Sequence, residues 1–372
     1  MPDPVNWSSL AQSIADGEAA LVLGQDAIPF YPAAEHTGDD AEMSFSELSR
    51  ERILASMNSE ISHFYRRDNL FHFNNAPAKQ QAMKCVRDAA RDRGWLPDAE
   101  LLRQLVALPF PVVLSVNPDK YLFDAFCALW RQPQFDYFTT KDKPQAPILS
   151  YPTSENPLLY NLCGSVTDKL DSCVLDYSDL FELIKNLLVD HGVPDVLWQK
   201  LQEVDRYILV GFDLERWYFQ IILHYLNRLE NNPFSNFKQN FPILSKASGA
   251  TREFVLRQFN VEQIAPSRND LEKLYLACRD RGILRTLNDF NGPIETNIRQ
   301  LAVQNKFEEA FALLEAHAPD ASRALDIPQL RARYTAWLQG KNSNTVKEED
   351  LNLEINRIRY TLLTFAHQLT KT

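Results

Sequence analysis

The stretch AALVLG at residues 19–24 decides the fold class of this protein. It is a short apolar run that stops at a glycine, which is typical of a parallel strand buried on both faces. Three further apolar runs, each followed by helical sequence, have the same character: PVVLSV at 111–116, LLYNL at 158–162 and YILVG at 207–211. Strands that alternate with helices at this spacing predict βαβ units in a mostly parallel, Rossmann-like α/β sheet.

The 372 residues are predicted to form two domains. A turn-rich stretch near 288–294 separates an α/β domain at residues 1–288 from a small all-α domain at residues 294–372. Within the first domain, residues 45–107 contain few helix breakers and predict an inserted helical layer. A late βα unit is predicted around residues 253–264.

Composition restricts the classes of function. The formal net charge is −10, and an acidic chain is a poor candidate for direct nucleic-acid binding, which requires clustered Lys and Arg. No segment approaches the roughly 18 consecutive apolar residues of a membrane span, and the N-terminus lacks the pattern of a secretory signal. The five cysteines form no CxxC pair, so we expect no metal site and a cytoplasmic location.

Four motifs occur in a fixed order after the predicted strands: LVLGQDA at 21–27, LSVNPD at 114–119, YNLCGS at 160–165 and LVGFD at 209–213. This order resembles the sirtuin-like family, especially the prokaryotic branch that hydrolyses NAD in antiphage defence. The resemblance covers residues 5–285. It implies that NAD binds, as substrate or ligand, at the carboxyl ends of the strands and is cleaved between nicotinamide and ribose.

The resemblance also implies roles for individual residues. Asn117 would orient the attacking water, and Asp119 would support the positive charge that develops on the ribose. Cys163 stands at the position of the catalytic His of the family. The predicted contacts along the rest of the cofactor follow the strand ends: Gly24, Asp26, Ser165, Gly211 and Asp213.

Several of these residues also have a purely structural interpretation. Gly24 and Gly211 are also ordinary strand-end turns, and Asp213 is equally suited to cap the helix that follows it. The Gly-Ala-Gly turn of the family is here Gly24-Gln25-Asp26-Ala27, which has one glycine fewer and adds a carboxylate. A thiol with an ordinary pKa of about 8.5 is a poor base near neutral pH.

Two functions therefore stay open. The first is an NAD glycohydrolase, and the second is a catalytically degenerate scaffold or nucleotide-binding subunit that assembles a defence complex. Three histidines are candidate substitute bases: His63, His72 and His191. The two functions differ in whether Cys163 faces the same cavity as Asn117, since a filled, closed cavity would favour the scaffold.

The C-terminal region resembles the small effector-associated helical domains of bacterial conflict systems. The resemblance runs over residues 298–369 and is clearest at NKFEEA (305–310) and EINRIRYTLL (354–363). Apolar residues recur at helical spacing through residues 350–369. The resemblance implies that this module recruits the chain to a sensor or activator protein by helix packing, in an oligomer or hetero-complex.

Overall fold

In the computed structural model, the chain forms two compact units. The first unit comprises Met1–Ala125 and Gln132–Thr286, and the second comprises Phe126–Arg131 and Leu287–Thr372. The structure describes residues 5–33, 42–92, 94–139, 149–189, 193–227, 238–261, 264, 267–287, 298, 301–302, 307–308, 310–311, 314, 326–343 and 348–369.

The strands and helices follow one another along the chain as far as residue 369. The strands are β1 (Ala19–Leu23), β2 (Pro29–Pro32), β3 (Met43–Ser44), β4 (Ile61–Tyr65), β5 (Leu70–Phe73), β6 (Trp95–Pro97), β7 (Val112–Ser115), β8 (Gln134–Tyr137), β9 (Leu158–Asn161), β10 (Arg206–Val210) and β11 (Gln239–Ile243). The helices are α1 (Trp7–Ala15), α2 (Phe45–Met57), α3 (Ala76–Ala90), α4 (Ala99–Ala107), α5 (Tyr121–Leu129), α6 (Tyr177–Val189), α7 (Asp195–Glu203), α8 (Trp217–Asn227), α9 (Gly249–Gln258), α10 (Arg268–Asp280), α11 (Asp326–Ser343) and α12 (Glu348–Leu369).

The first unit is built on a six-stranded sheet in which every pairing is parallel, with the order β11-β10-β1-β7-β9-β8. All five side chains of β1 are buried, which explains the uninterrupted apolar run at residues 19–23. In the sheet, β7, β9 and β8 lie on one side of β1, whereas the later strands β10 and β11 lie on its other side. Ligands of doubly wound sheets bind outside the carboxyl ends of the strands at such a reversal. The predicted Rossmann-like α/β class is confirmed, with all four predicted strands in this sheet.

The last strand of the sheet was wrongly predicted. The late βα unit expected around residues 253–264 is not a strand there, because α9 (Gly249–Gln258) occupies its first part. The strand is β11, which contains Asn240 and Pro242 and so shows no continuous apolar run. Asn240 is fully buried, and its amide donates to Phe259 O at 2.6 Å and Asn227 Oδ1 at 2.8 Å. The proline is tolerated because β11 is an edge strand.

The inserted region at residues 45–107 contains the expected helices α2, α3 and α4, and also strands of two small sheets that were not predicted, one of which is completed by β2 and β3. β4 and β5 form an antiparallel hairpin, and β2 pairs with β3 and β6. These strands have two to five residues and are partly exposed, so they carry no apolar pattern. The hairpin brings its turn, residues 66–69, to the site described below.

A buried arginine closes the end of the first unit. The Arg285 guanidinium donates to Ser154 O from Nε at 3.1 Å and to Phe110 O from Nη2 at 2.8 Å. It also donates to Val106 O at 2.9 Å and to Leu108 O. Since three of these carbonyls precede β7, the arginine fixes the segment that leads into this central strand.

In the second unit, α11 and α12 share an apolar core. Buried side chains from the two helices and from the preceding residues pack together: Phe307, Phe311, Ile327, Leu330, Tyr334, Ile355, Ile358 and Leu362. The Trp337 indole donates to Leu351 O at 2.7 Å, which joins α11 to α12. The predicted domain boundary near 288–294 lies outside the described residues. No helix in the described parts of the chain is both long and apolar enough to cross a membrane.

Candidate functional site

The turn after β1 packs directly against the end of β10. The amide of Gly24 donates to Val210 O at 2.7 Å, and that of Asp26 donates to Gly211 O at 3.0 Å. A Cβ atom on Gly24 would lie 2.3 Å from Gly211 O, and one on Gly211 would lie 2.2 Å from Ala27 N. Close backbone approach therefore requires both glycines. Because two amides of the turn are already used and β2 follows it instead of a helix, the turn lacks the usual phosphate cradle of this fold.

The Asp26 carboxylate already has cationic neighbours. Its Oδ2 lies 3.7 Å from Lys246 Nζ. Burial raises the pKa of Asp26 above its ordinary value, and the charges of Lys246 and Arg216 lower it in part. This position therefore suits a structural ion pair as well as contact with a ribose.

A cleft of about 770 Å³, including the part open to solvent, lies beside the carboxyl ends of β1, β7 and β9. Its walls also come from α2, α3, the β4–β5 hairpin, α6 and α8. Asn117 and Cys163 both line this cleft, so the structure brings together two of the three predicted catalytic residues. The Asn117 amide nitrogen donates to Gln25 O at 3.3 Å, which fixes the side chain at the wall. The cleft is open to solvent, so it is not the filled, closed cavity that would favour the scaffold.

Buried polar atoms without a hydrogen bond are concentrated on the walls of this cleft. Of nine such side-chain atoms in the described residues, six belong to residues of the cleft. These six are Gln25 Nε2, Gln25 Oε1, Ser49 Oγ, Asp68 Oδ1, Asn69 Oδ1 and Arg216 Nε. A buried polar group left unpaired costs about 1–3 kcal/mol. A polar ligand in the cleft would give these groups the partners that the protein does not supply.

Cys163 faces the cleft as a neutral thiol. Burial raises its pKa to about 12, so the thiol stays protonated near neutral pH. No histidine lines the cleft within the described residues. His63 and His72 are exposed on the β4–β5 hairpin, and the predicted position His191 lies outside the described residues. None of the described side chains therefore restores an imidazole at this site.

Asp119 lies at a second, smaller hollow of about 400 Å³, including the part open to solvent, which Gly24, Asn161 and Asn117 also line. Its carboxylate accepts from the Tyr121 amide at 3.0 Å at the start of α5. Burial raises the pKa of Asp119 to about 6, although this hydrogen bond favours the charged form. The Asn161 amide donates to Asp119 O at 2.7 Å. Asn117 thus lines both cavities, whereas Asp119 lines the smaller one.

Of the predicted cofactor contacts, Gly24 lines the smaller cavity, whereas four line neither cavity: Asp26, Ser165, Gly211 and Asp213. Ser165 is fully buried, and its hydroxyl contacts Asp168 and, at 3.3 Å, the Thr167 hydroxyl. Asp213 accepts from the Glu215 amide at 3.1 Å, in the turn that leads into α8. This is a turn contact ahead of α8, which begins at Trp217, so it is not the helix cap that was the alternative to ligand binding.

Sequence reasoning missed most of the polar wall of the cleft. The residues concerned are Gln25, Ser49, Asp68, Asn69 and Arg216. Gln25 directly follows Gly24, a predicted site residue, and this position could have identified it as part of the site. Asp68 and Asn69 had none, because the hairpin that carries them was not predicted.

No curated protein matches the chain. Residues 294–370 match the sequence model of a family described as effector-associated domain 11. The match supports the helical interaction module predicted for this part of the chain and indicates a defence or effector-type protein.

Proposed function

We propose that this chain is an effector of bacterial antiphage defence whose cleft binds NAD and cleaves its nicotinamide–ribose bond. The observation that carries the proposal is the cleft itself, whose wall carries Asn117 and six buried polar atoms that make no hydrogen bond. NAD supplies the matching chemistry, since its carboxamide, ribose hydroxyls and base offer both donors and acceptors. The order of motifs after the strands supports the same ligand.

Asn117 is the residue that we assign to orienting the attacking water. Its amide nitrogen is held by Gln25 O, which keeps the side chain at the cleft wall. Cleavage needs no acid for the leaving group, because the nicotinamide nitrogen leaves as a neutral pyridine. The protonated Cys163 thiol would then be part of the wall instead of a base.

The C-terminal module supplies control in this proposal. Its match to an effector-associated domain supports recruitment by a sensor or activator, which would switch on cleavage in an oligomer or hetero-complex. Uncontrolled NAD cleavage would harm the host cell. We therefore expect little turnover by the chain alone and much more with its partner.

A second candidate is a nucleotide-binding scaffold without chemistry. The raised pKa of Cys163 and the closely packed Gly24 turn favour it. The scaffold would bind NAD or a related nucleotide in the same cleft. The two candidates therefore differ in turnover and share the binding site.

The deciding experiment follows NAD loss over time with the purified full chain, alone and with the products of its neighbouring genes. Asn117→Ala removes the proposed water ligand, and Asn186→Ala is the matched control, because Asn186 lies on α6 away from the cleft. Turnover that needs a partner and is lost only in Asn117→Ala supports the effector. NAD binding by calorimetry without turnover selects the scaffold, and absence of both overturns the proposal.

A further inference from the structure

The turn of the β4–β5 hairpin holds a carboxylate in a fixed position at the cleft. Asp68 is 8% exposed, and the following residue, Asn69, adopts a left-handed φ of 56°. The Asn69 amide donates to Ser46 Oγ at 2.6 Å, which ties the turn to α2. The Tyr218 hydroxyl donates to Asp68 O at 3.0 Å, and the Tyr177 hydroxyl donates to Asp68 Oδ2. Contacts from α2, α6 and α8 thus hold this one turn.

The two oxygens of the Asp68 carboxylate are in different situations. Oδ2 is engaged by Tyr177, whereas Oδ1 is buried and has no hydrogen-bond partner. Asp68 is the one Asp or Glu on the wall of the cleft within the described residues, and Asn117 and Cys163 line the same cleft. A carboxylate with one oxygen anchored and the other free has the arrangement that a positioned base requires.

We propose that Asp68 is the general base for the hydrolysis in this cleft, and this inference rests on the proposed function. The water oxygen forms the new bond to ribose C1′. The bond between C1′ and the nicotinamide nitrogen breaks, and its electron pair stays on nicotinamide. The proton of the water passes to Asp68 Oδ1 and is then released to solvent, so NAD and water give ADP-ribose, nicotinamide and one proton.

The neighbours of Asp68 are suited to keep it in the role of acceptor. Burial raises the pKa of both Tyr177 and Tyr218 to about 12, so both hydroxyls remain donors near neutral pH. Arg216 donates to the Tyr218 hydroxyl at 3.1 Å and lowers its pKa in part. Tyrosine hydroxyls would thus orient the carboxylate base, at a site where none of the described residues supplies an imidazole.

The test uses the full chain with its activating partner and separates binding from turnover. Asp68→Asn keeps the shape of the side chain and an acceptor for Tyr177, but it cannot take a proton. We expect kcat to fall by about 10²–10⁴-fold, the usual contribution of a general base, while the Kd for NAD is unchanged. Glu182→Gln removes an exposed carboxylate on α6 and is the matched control, with unchanged kcat.

A second pair of variants addresses a role in folding alone. Asp68→Glu keeps the carboxylate and should retain part of the turnover, and added formate should restore part of it in Asp68→Ala. Formate does not rescue a residue whose contribution is purely structural. These variants decide the question if the Asn variant fails to fold.

The failures of the two proposals are distinguishable. Unchanged kcat in Asp68→Asn overturns the general base and leaves the effector function intact. Loss of NAD binding in Asp68→Asn also overturns it, because the carboxylate would then serve in binding. No turnover by the unmodified chain with any partner overturns both.

Discussion

Replacing Gly211 by Ala adds a methyl group where the backbone of the neighbouring turn leaves no room. The new Cβ would lie 2.2 Å from Ala27 N and 2.3 Å from Ala27 Cα, and φ at this position is +72°. The left-handed backbone costs an L-residue about 1–2 kcal/mol. Overpacking against atoms that cannot move away adds about 1–3 kcal/mol. The sum predicts a loss of about 2–5 kcal/mol in the free energy of unfolding of the first unit.

Gly282→Ala is a matched control for this prediction. Gly282 has almost the same φ, +68°, but nothing lies within 4 Å of its Cβ position. It should lose about 1–2 kcal/mol from backbone strain alone. The difference between the two variants therefore isolates the packing of β10 against the β1 turn.

The assay is urea unfolding of the full chain followed by tryptophan fluorescence, with NAD binding measured in parallel. A Gly211→Ala variant that is as stable as Gly282→Ala would refute the packing argument. If that stable variant also lost NAD binding, the glycine would serve the ligand instead.

Three further predictions concern other parts of the molecule. Arg285→Met leaves buried carbonyls unpaired, so urea unfolding should show a loss of about 3–5 kcal/mol. The pKa of Asp119 is raised to about 6, so its protonated form is the stabilising one and stability should fall as pH rises from about 4 to 6. Asp119→Asn should flatten that part of the pH–stability curve. Ile358→Ala removes a fully buried side chain, so the second unit should lose about 2–5 kcal/mol in a melting experiment, with NAD binding retained.

Full burial made the central strands predictable. All five side chains of β1 and the apolar residues of β7 and β9 are buried, so these strands appear in the sequence as short apolar runs. The edge strand β11 is also largely buried, but it contains Asn240, whose amide is hydrogen-bonded, and Pro242, which an edge position tolerates. Strand prediction from apolar runs therefore succeeds in the middle of the sheet and fails at this edge.

The site was predictable only where it follows a central strand. Asn117 and Cys163 come after β7 and β9, and the parallel sheet brings such positions to one edge. Asp68 comes from a hairpin whose strands carry no apolar pattern, and its partner Tyr177 is more than a hundred residues away. Tertiary contacts of this kind leave no local trace in the sequence.

The Arg285 guanidinium also connects the C-terminal end of the first unit to the start of its central strand. Arg285 lies two residues before the second unit begins, and it donates hydrogen bonds to carbonyls of the segment that precedes β7. These hydrogen bonds fix the backbone of residues 106–110 from the C-terminal end of the first unit. The segment at residues 106–110 continues into β7, the strand that ends two residues before Asn117. The strand that leads to Asn117 is thus held at its start by an arginine from the end of the first unit.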